Sequence, residues 1–155
     1  MRTPVNRLLQ RHRKLLTLCS ACLLLAAACT KGVSWTQAEI RNAENILRAV
    51  ESASRAATLA NQAPADGQSA AHKQRILEEL RKAHVQASIV EDHILDKIHP
   101  RMHSQFRGKF QKALGRLIRY YESGSLDQTE QPATDIVNFY DWYRSHYHEF
   151  RLWNN

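Results

Sequence analysis

The sequence predicts an all-α protein, an up-down four-helix bundle. Apolar residues recur at three- and four-residue spacing through four long stretches. Proline, glycine and polar clusters separate those stretches. No stretch alternates apolar and polar residues with period two over a useful length, so no sheet is expected. The loops are short, which favours antiparallel neighbours.

The first helix is expected over about 36–61. Thr36-Gln37-Ala38-Glu39 fits a capping box, in which Thr36 and Glu39 satisfy each other's free backbone donors. Ile40, Ala43, Ile46, Leu47, Val50 and Ala57 then form one apolar stripe, rich enough in alanine for close packing. Residues 62–69 contain Pro64, Asp66 and Gly67 and read as a loop. The second helix is expected over 70–98, with Ile76, Leu80, Ala83, Ala87, Val90, Ile94 and Ile98 as its stripe. Pro100 ends it, because the residue before proline avoids the helical region. Pro100 also suits the first position of a third helix over 100–123. Met102, Phe106, Phe110, Ala113, Leu114, Leu117 and Tyr121 form that helix's stripe, and Gly124 sits where a glycine cap belongs. After a polar loop, the last helix is expected over 132–152. Ile136, Phe139, Tyr140, Tyr143, Tyr147 and Phe150 should face inward from it.

Ahead of this domain lies a different kind of segment. Arg2, Arg7, Arg11, Arg13 and Lys14 occur with no acid, and Leu15 to Ala28 is then free of charge for fourteen residues. That is too short for a membrane-spanning helix, which needs about 20 apolar residues. It has the basic, apolar and small-residue parts of an export signal. Cys29 closes the run Leu23-Leu24-Leu25-Ala26-Ala27-Ala28-Cys29. This arrangement resembles the signal peptide of a bacterial lipoprotein. The place three before the cysteine, commonly leucine, is Ala26 here, with Leu25 one further back. The resemblance implies cleavage after residue 28, lipid (palmitate among the acyl chains) on Cys29, a lipidated tether over 29–35 and one helical domain over 36–155. Ala26 and Ala28 also form an Ala-x-Ala site, so ordinary secretory cleavage would cut the same bond. Thr30 follows Cys29, where aspartate would commonly retain a lipoprotein in an inner membrane. The resemblance therefore implies the periplasmic face of an outer membrane in a Gram-negative host.

Removing the signal changes the charge balance. The precursor has 22 bases and 15 acids, net +7; five bases and no acid precede Cys29, leaving 17 against 15, or +2. A nucleic-acid partner is not expected from so small a net charge. Cys19 and Cys22 lie in the removed segment, so their Cys-x-x-Cys spacing carries no redox or metal role in the mature chain. About 127 residues remain, ample for one core.

Three groups of residues are candidates for function. From Lys97 to Arg119 there are seven bases and no acid, and Arg101, Lys109, Lys112, Arg116 and Arg119 fall near one stripe. Such a face would attract an anionic surface or an acidic partner. The plainer reading is a solvated face balanced by Glu78, Glu79, Glu91 and Asp92 of the preceding helix. The end of the chain holds seven of the twelve aromatics, with Trp142 and Trp153 beside the inward row. These suit either the margin of a core or a groove for a partner. Asp92, Asp96 and His99, with His103 close by, have spacing that could present a metal site on one helix face. The plainer reading is a solvated helix end, since no Glu-x-x-His pair accompanies them.

No phosphate loop, nucleophile elbow or haem motif occurs, so neither a cofactor nor an enzyme activity is expected. The leading expectation is a non-enzymatic, membrane-tethered domain that binds a partner protein in a pilotin-like or assembly role. An immunity or exclusion lipoprotein and a metal- or ligand-binding sensor are the alternatives.

Overall fold

A computed structural model of the chain describes residues 34–62 and 69–151, and every regular element among them is helical. The export signal, Cys29, the centre of the first loop and Trp153 lie outside the described residues. The helices belong to one compact unit, Trp35–Asn155.

Helix α1 runs Gln37–Gln62. Its capping box forms as the sequence predicts: the Thr36 N–H donates to Glu39 Oε2 at 2.8 Å, and the Glu39 N–H donates to Thr36 Oγ1 at 3.2 Å. The buried arc is wider than one stripe. Ala43, Ile46, Val50, Ala53, Ala57 and Ala60 are joined by Ala49 and Ala56. An arc that broad serves two neighbours, and α1 packs on both the second and the last long helix.

Helix α2 runs Ala70–Ser88 and is capped by Ser69, whose side chain accepts from the His72 N–H at 3.2 Å. The expected continuation to residue 98 is interrupted. Glu91 is extended, and a separate helix α3 runs Asp92–Ile98. The break is stabilised from a distance. Asn42 of α1 donates to the Ile89 carbonyl at 3.1 Å and accepts the Glu91 N–H at 3.1 Å. Arg107 donates to the carbonyls of Val90 and Ala87, and Gln111 donates to Ala87 at 3.0 Å. These side chains satisfy backbone groups that the missing helical turn leaves open. The apolar spacing runs straight through the corner, because Val90, Ile94 and Ile98 remain buried on its far side.

Helix α4 spans Met102–Ser123 in three pieces: α over Met102–Gln105, π over Phe106–Gln111, and α over Lys112–Ser123. It begins after Pro100 rather than on it. Its predicted stripe, from Met102 to Tyr121, is buried in full. The π segment follows from the stripe itself. Met102, Phe106, Phe110 and Leu114 are each four residues apart. In an α-helix each such step overshoots a turn by about 40°, so three steps would swing the last residue off the core. The wider π turn takes up the excess. It leaves Phe106 and Phe110 stacked at 5.2 Å. Gly124 ends the helix in the left-handed region at φ 76°, where glycine carries no Cβ penalty.

Helix α5 runs Glu130–Ser145, shorter than expected, and a 3-10 turn Tyr147–Glu149 follows. The early stop corrects the inward row. Tyr147 is 36 % exposed, and Phe150 reaches the core through the turn instead of by continued helix. The Arg151 N–H donates to the Ile98 carbonyl at 3.1 Å, tying this end to the end of α3. Around the core, α1 packs on α2 and α5, α2 on α4, and α4 on α5.

Candidate functional site

A groove of about 1000 Å³ runs between α4 and α5. One wall is the face of α4 beside its apolar stripe: Gln105, Gly108, Lys109, Lys112, Gly115, Arg116 and Arg119. These recur at three- and four-residue intervals, so they form a second stripe with no apolar side chain. The other wall is Asp135, Asn138, Phe139 and Trp142 of α5. Arg116 donates to Asp135 at 2.9 Å, and Phe106 and Phe110 lie against Phe139 at ring distances of 6.0 and 4.9 Å. The numbering rises on one helix as it falls on the other, so the aromatic end of the groove is the Lys109 end.

The floor is low because two residues have no side chain. A Cβ built at Gly108 or at Gly115 meets nothing within 4 Å. At the aromatic end, Trp142 is half-buried and held from behind by other rings. It stacks on His146 at 5.0 Å, and His99 meets it edge-on at 5.8 Å.

The charge of the groove is not neutralised by the surrounding helices. Among the described residues Asp135 is its one acid, and it is already held by Arg116 and Gln131. Of the acids that could have balanced the basic helix, Asp92 reaches Arg107 of α4, away from the groove lining, and the rest pair with side chains outside the groove. Glu79 faces Arg55 at 3.8 Å, Glu122 pairs with Arg81 at 2.8 Å, and Asp92 pairs with Arg107 at 2.8 Å. Glu78 accepts from Gln74 at 3.1 Å, and Glu91 lies 3.3 Å from His93. Among the described residues, Lys109, Lys112 and Arg119 therefore have no ion-pair partner.

No family model, curated protein or solved structure matches this chain.

Of the predicted basic stripe, the structure gathers Lys109, Lys112, Arg116 and Arg119 at the groove and adds Trp142. Arg101 is not part of it. It sits in the turn before α4, where its N–H donates to His99 Nδ1 at 3.1 Å. The metal candidates do not assemble. Helix α3 stops at Ile98 and His99 is extended before Pro100, so His99 leaves the face that helical spacing would give it. Its side chain turns into the aromatic cluster, and the residue is 7 % exposed. With Nδ1 accepting, Nε2 carries the proton and donates to Glu149 at 3.3 Å. Asp92 instead faces Arg107, and His103 approaches it at 3.7 Å. The Arg107 hydrogen bond, with the same guanidinium's charge, lowers the Asp92 carboxyl below its ordinary 3.8. Asp96 is exposed on α3. Among the described residues, no three His, Cys, Asp or Glu side chains are placed to share a metal ion.

The residues missed from sequence are Gly108, Gly115, Gln105, Asn138 and Asp135. The signal for those on α4 was present. A polar and glycine stripe from Gln105 to Arg119 keeps helical spacing beside the apolar one, and only its bases were read.

Proposed function

We propose that this chain is a lipid-anchored, non-enzymatic envelope protein that holds a segment of a partner protein in the α4–α5 groove. The groove is the observation that carries the reading. It joins Lys109, Lys112 and Arg119, which have no ion-pair partner among the described residues, to a wall with Trp142; arginine and tryptophan are enriched at the anchor points of protein interfaces. The anchor is the Cys29 lipid that the N-terminal resemblance implies, with the domain at the periplasmic face of an outer membrane in a Gram-negative host. The scaffold is read as an up-down four-helix bundle with α3 as a corner. The cross-connections Asn42 to Glu91, Arg55 to Glu79 and Arg81 to Glu122 support opposite running of successive long helices.

A photo-crosslinking amino acid placed at Lys112, in cells expressing the full chain, tests the reading. A discrete protein adduct from Lys112 and none from exposed Glu44 on α1 is expected. No adduct, or the same adducts from both positions, would overturn it.

A further inference from the structure

We infer that the occupant of the groove is an acidic α-helix, carrying one carboxylate per turn on one face and a large apolar side chain at one end. This rests on the reading of the groove as a protein-binding site and gives the partner its chemistry.

The bases do not converge on a point, as they would around a single phosphate or carboxylate. Lys109, Lys112, Arg116 and Arg119 are spaced by three, four and three residues along one wall. At the α-helical 1.5 Å per residue the ladder is at most about 15 Å long, with a step of about 5 Å, Lys109 standing in the π segment, which rises less. An α-helix lying alongside repeats its side chains every 5.4 Å per turn, so four turn-spaced acids cover about 16 Å. An extended strand repeats same-face side chains every 6.8 Å or so, and four of them cover about 20 Å. The ladder therefore fits a helix in register and leaves a strand out of step by most of one interval.

Close approach is possible because the floor is open. Gly108 and Gly115 are two turns apart on the groove face, and beyond the adjoining backbone of α4 and the neighbouring residues no atom lies within 4 Å of where either Cβ would stand. Asymmetry comes from the end wall. Phe139 and Trp142 stand only at the Lys109 end, where an apolar side chain of the occupant would be covered. Lys109, Lys112 and Arg119, which lack acids of their own, would gain carboxylate partners there.

The test uses the purified full chain in detergent and four fluorescent probes. The first is a designed 18-residue helical peptide with glutamate at four successive turns and leucine at one end. The second has glutamine in place of each glutamate. The third carries the same four glutamates in a proline-interrupted, extended sequence. The fourth is a single-stranded DNA oligonucleotide. The first probe should bind most tightly, and the double variant K112E/R119E should weaken it by about tenfold or more. Gly115→Leu, which fills the floor without touching charge, should weaken it as well; circular dichroism checks that both variants fold. Equal binding of the glutamine or extended probes would overturn the inference. So would binding of DNA alone, or a first probe indifferent to both variants. If no acidic helix binds while Lys112 still crosslinks a protein in cells, the groove keeps its partner and only the acidic-helix inference falls.

Discussion

Glu39 illustrates how much one exposed-looking side chain can hold. It closes the capping box of α1 and also receives Lys97 Nζ at 2.6 Å, while Lys97 lies 4.4 Å from the centre of the Trp35 ring. The Lys97 hydrogen bond, followed by the Thr36 N–H, lowers the Glu39 carboxyl from its ordinary 4.5 to about 2. A carboxyl held below its unfolded value stabilises the fold where it is ionised in both states. That contribution is complete above about pH 4.5 and is lost as pH falls toward 2. The variant Glu39→Gln should therefore melt below the wild type at pH 7 and coincide with it near pH 2. Thermal melts across that range measure the convergence; a constant gap would assign the effect to packing. The Thr36-to-Glu39 box was readable in sequence because both partners lie within one turn. The Lys97 contact was not, because its partners are 58 residues apart.

At the scale of elements, α4 was the most legible and α2 the least, for the same physical reason. The stripe of α4, from Met102 through Phe106, Phe110, Ala113, Leu114 and Leu117 to Tyr121, is buried in the core, and its spacing alone reports that. The π segment was implicit in three successive steps of four, a pattern that a simple stripe count passes over. In α2 the stripe also continues through Val90 and Ile94, yet the helix breaks, because Asn42 and Arg107 satisfy the corner from other helices. The end of α5 was hidden by its aromatic run, which keeps helical spacing after the helix has stopped. Helix α4 also sets stability against binding. Glycine inside a helix costs roughly 0.5–1 kcal/mol relative to alanine, and a methyl group at Gly115 meets nothing. Gly115→Ala should raise the unfolding free energy by about that amount, measured in urea, while reducing affinity for the acidic helical peptide. A variant that gained stability and kept full affinity would show that the floor is not touched by the occupant.

For the whole molecule, the amino-terminal resemblance and the groove make separate demands that meet in one arrangement. Charge counted over the full chain points to a basic protein, whereas the residues from Cys29 on are close to neutral at +2, with their asymmetry gathered on α4. Composition could not locate that asymmetry; only the packing of α4 on α5 turned a run of bases into a lined groove. Mass spectrometry of the membrane-extracted chain should find a mature N-terminus at Cys29 bearing acyl mass. Cys29→Ser should lose that mass and leave the membrane fraction. A wild type cut at the same bond but unmodified would make this an ordinary secreted domain.

The corner between α2 and α3 has a consequence for the order in which the chain folds. Its hydrogen bonds join residues 47 and 49 apart on one side and 17 to 24 apart on the other. Neither set can form until α1 and α4 have docked, so the corner closes late, after the helices it separates have formed. Asn42→Ala should accordingly speed unfolding while leaving the refolding rate nearly unchanged, a low φ-value in stopped-flow kinetics. A slowed refolding limb would instead make the corner part of the nucleus.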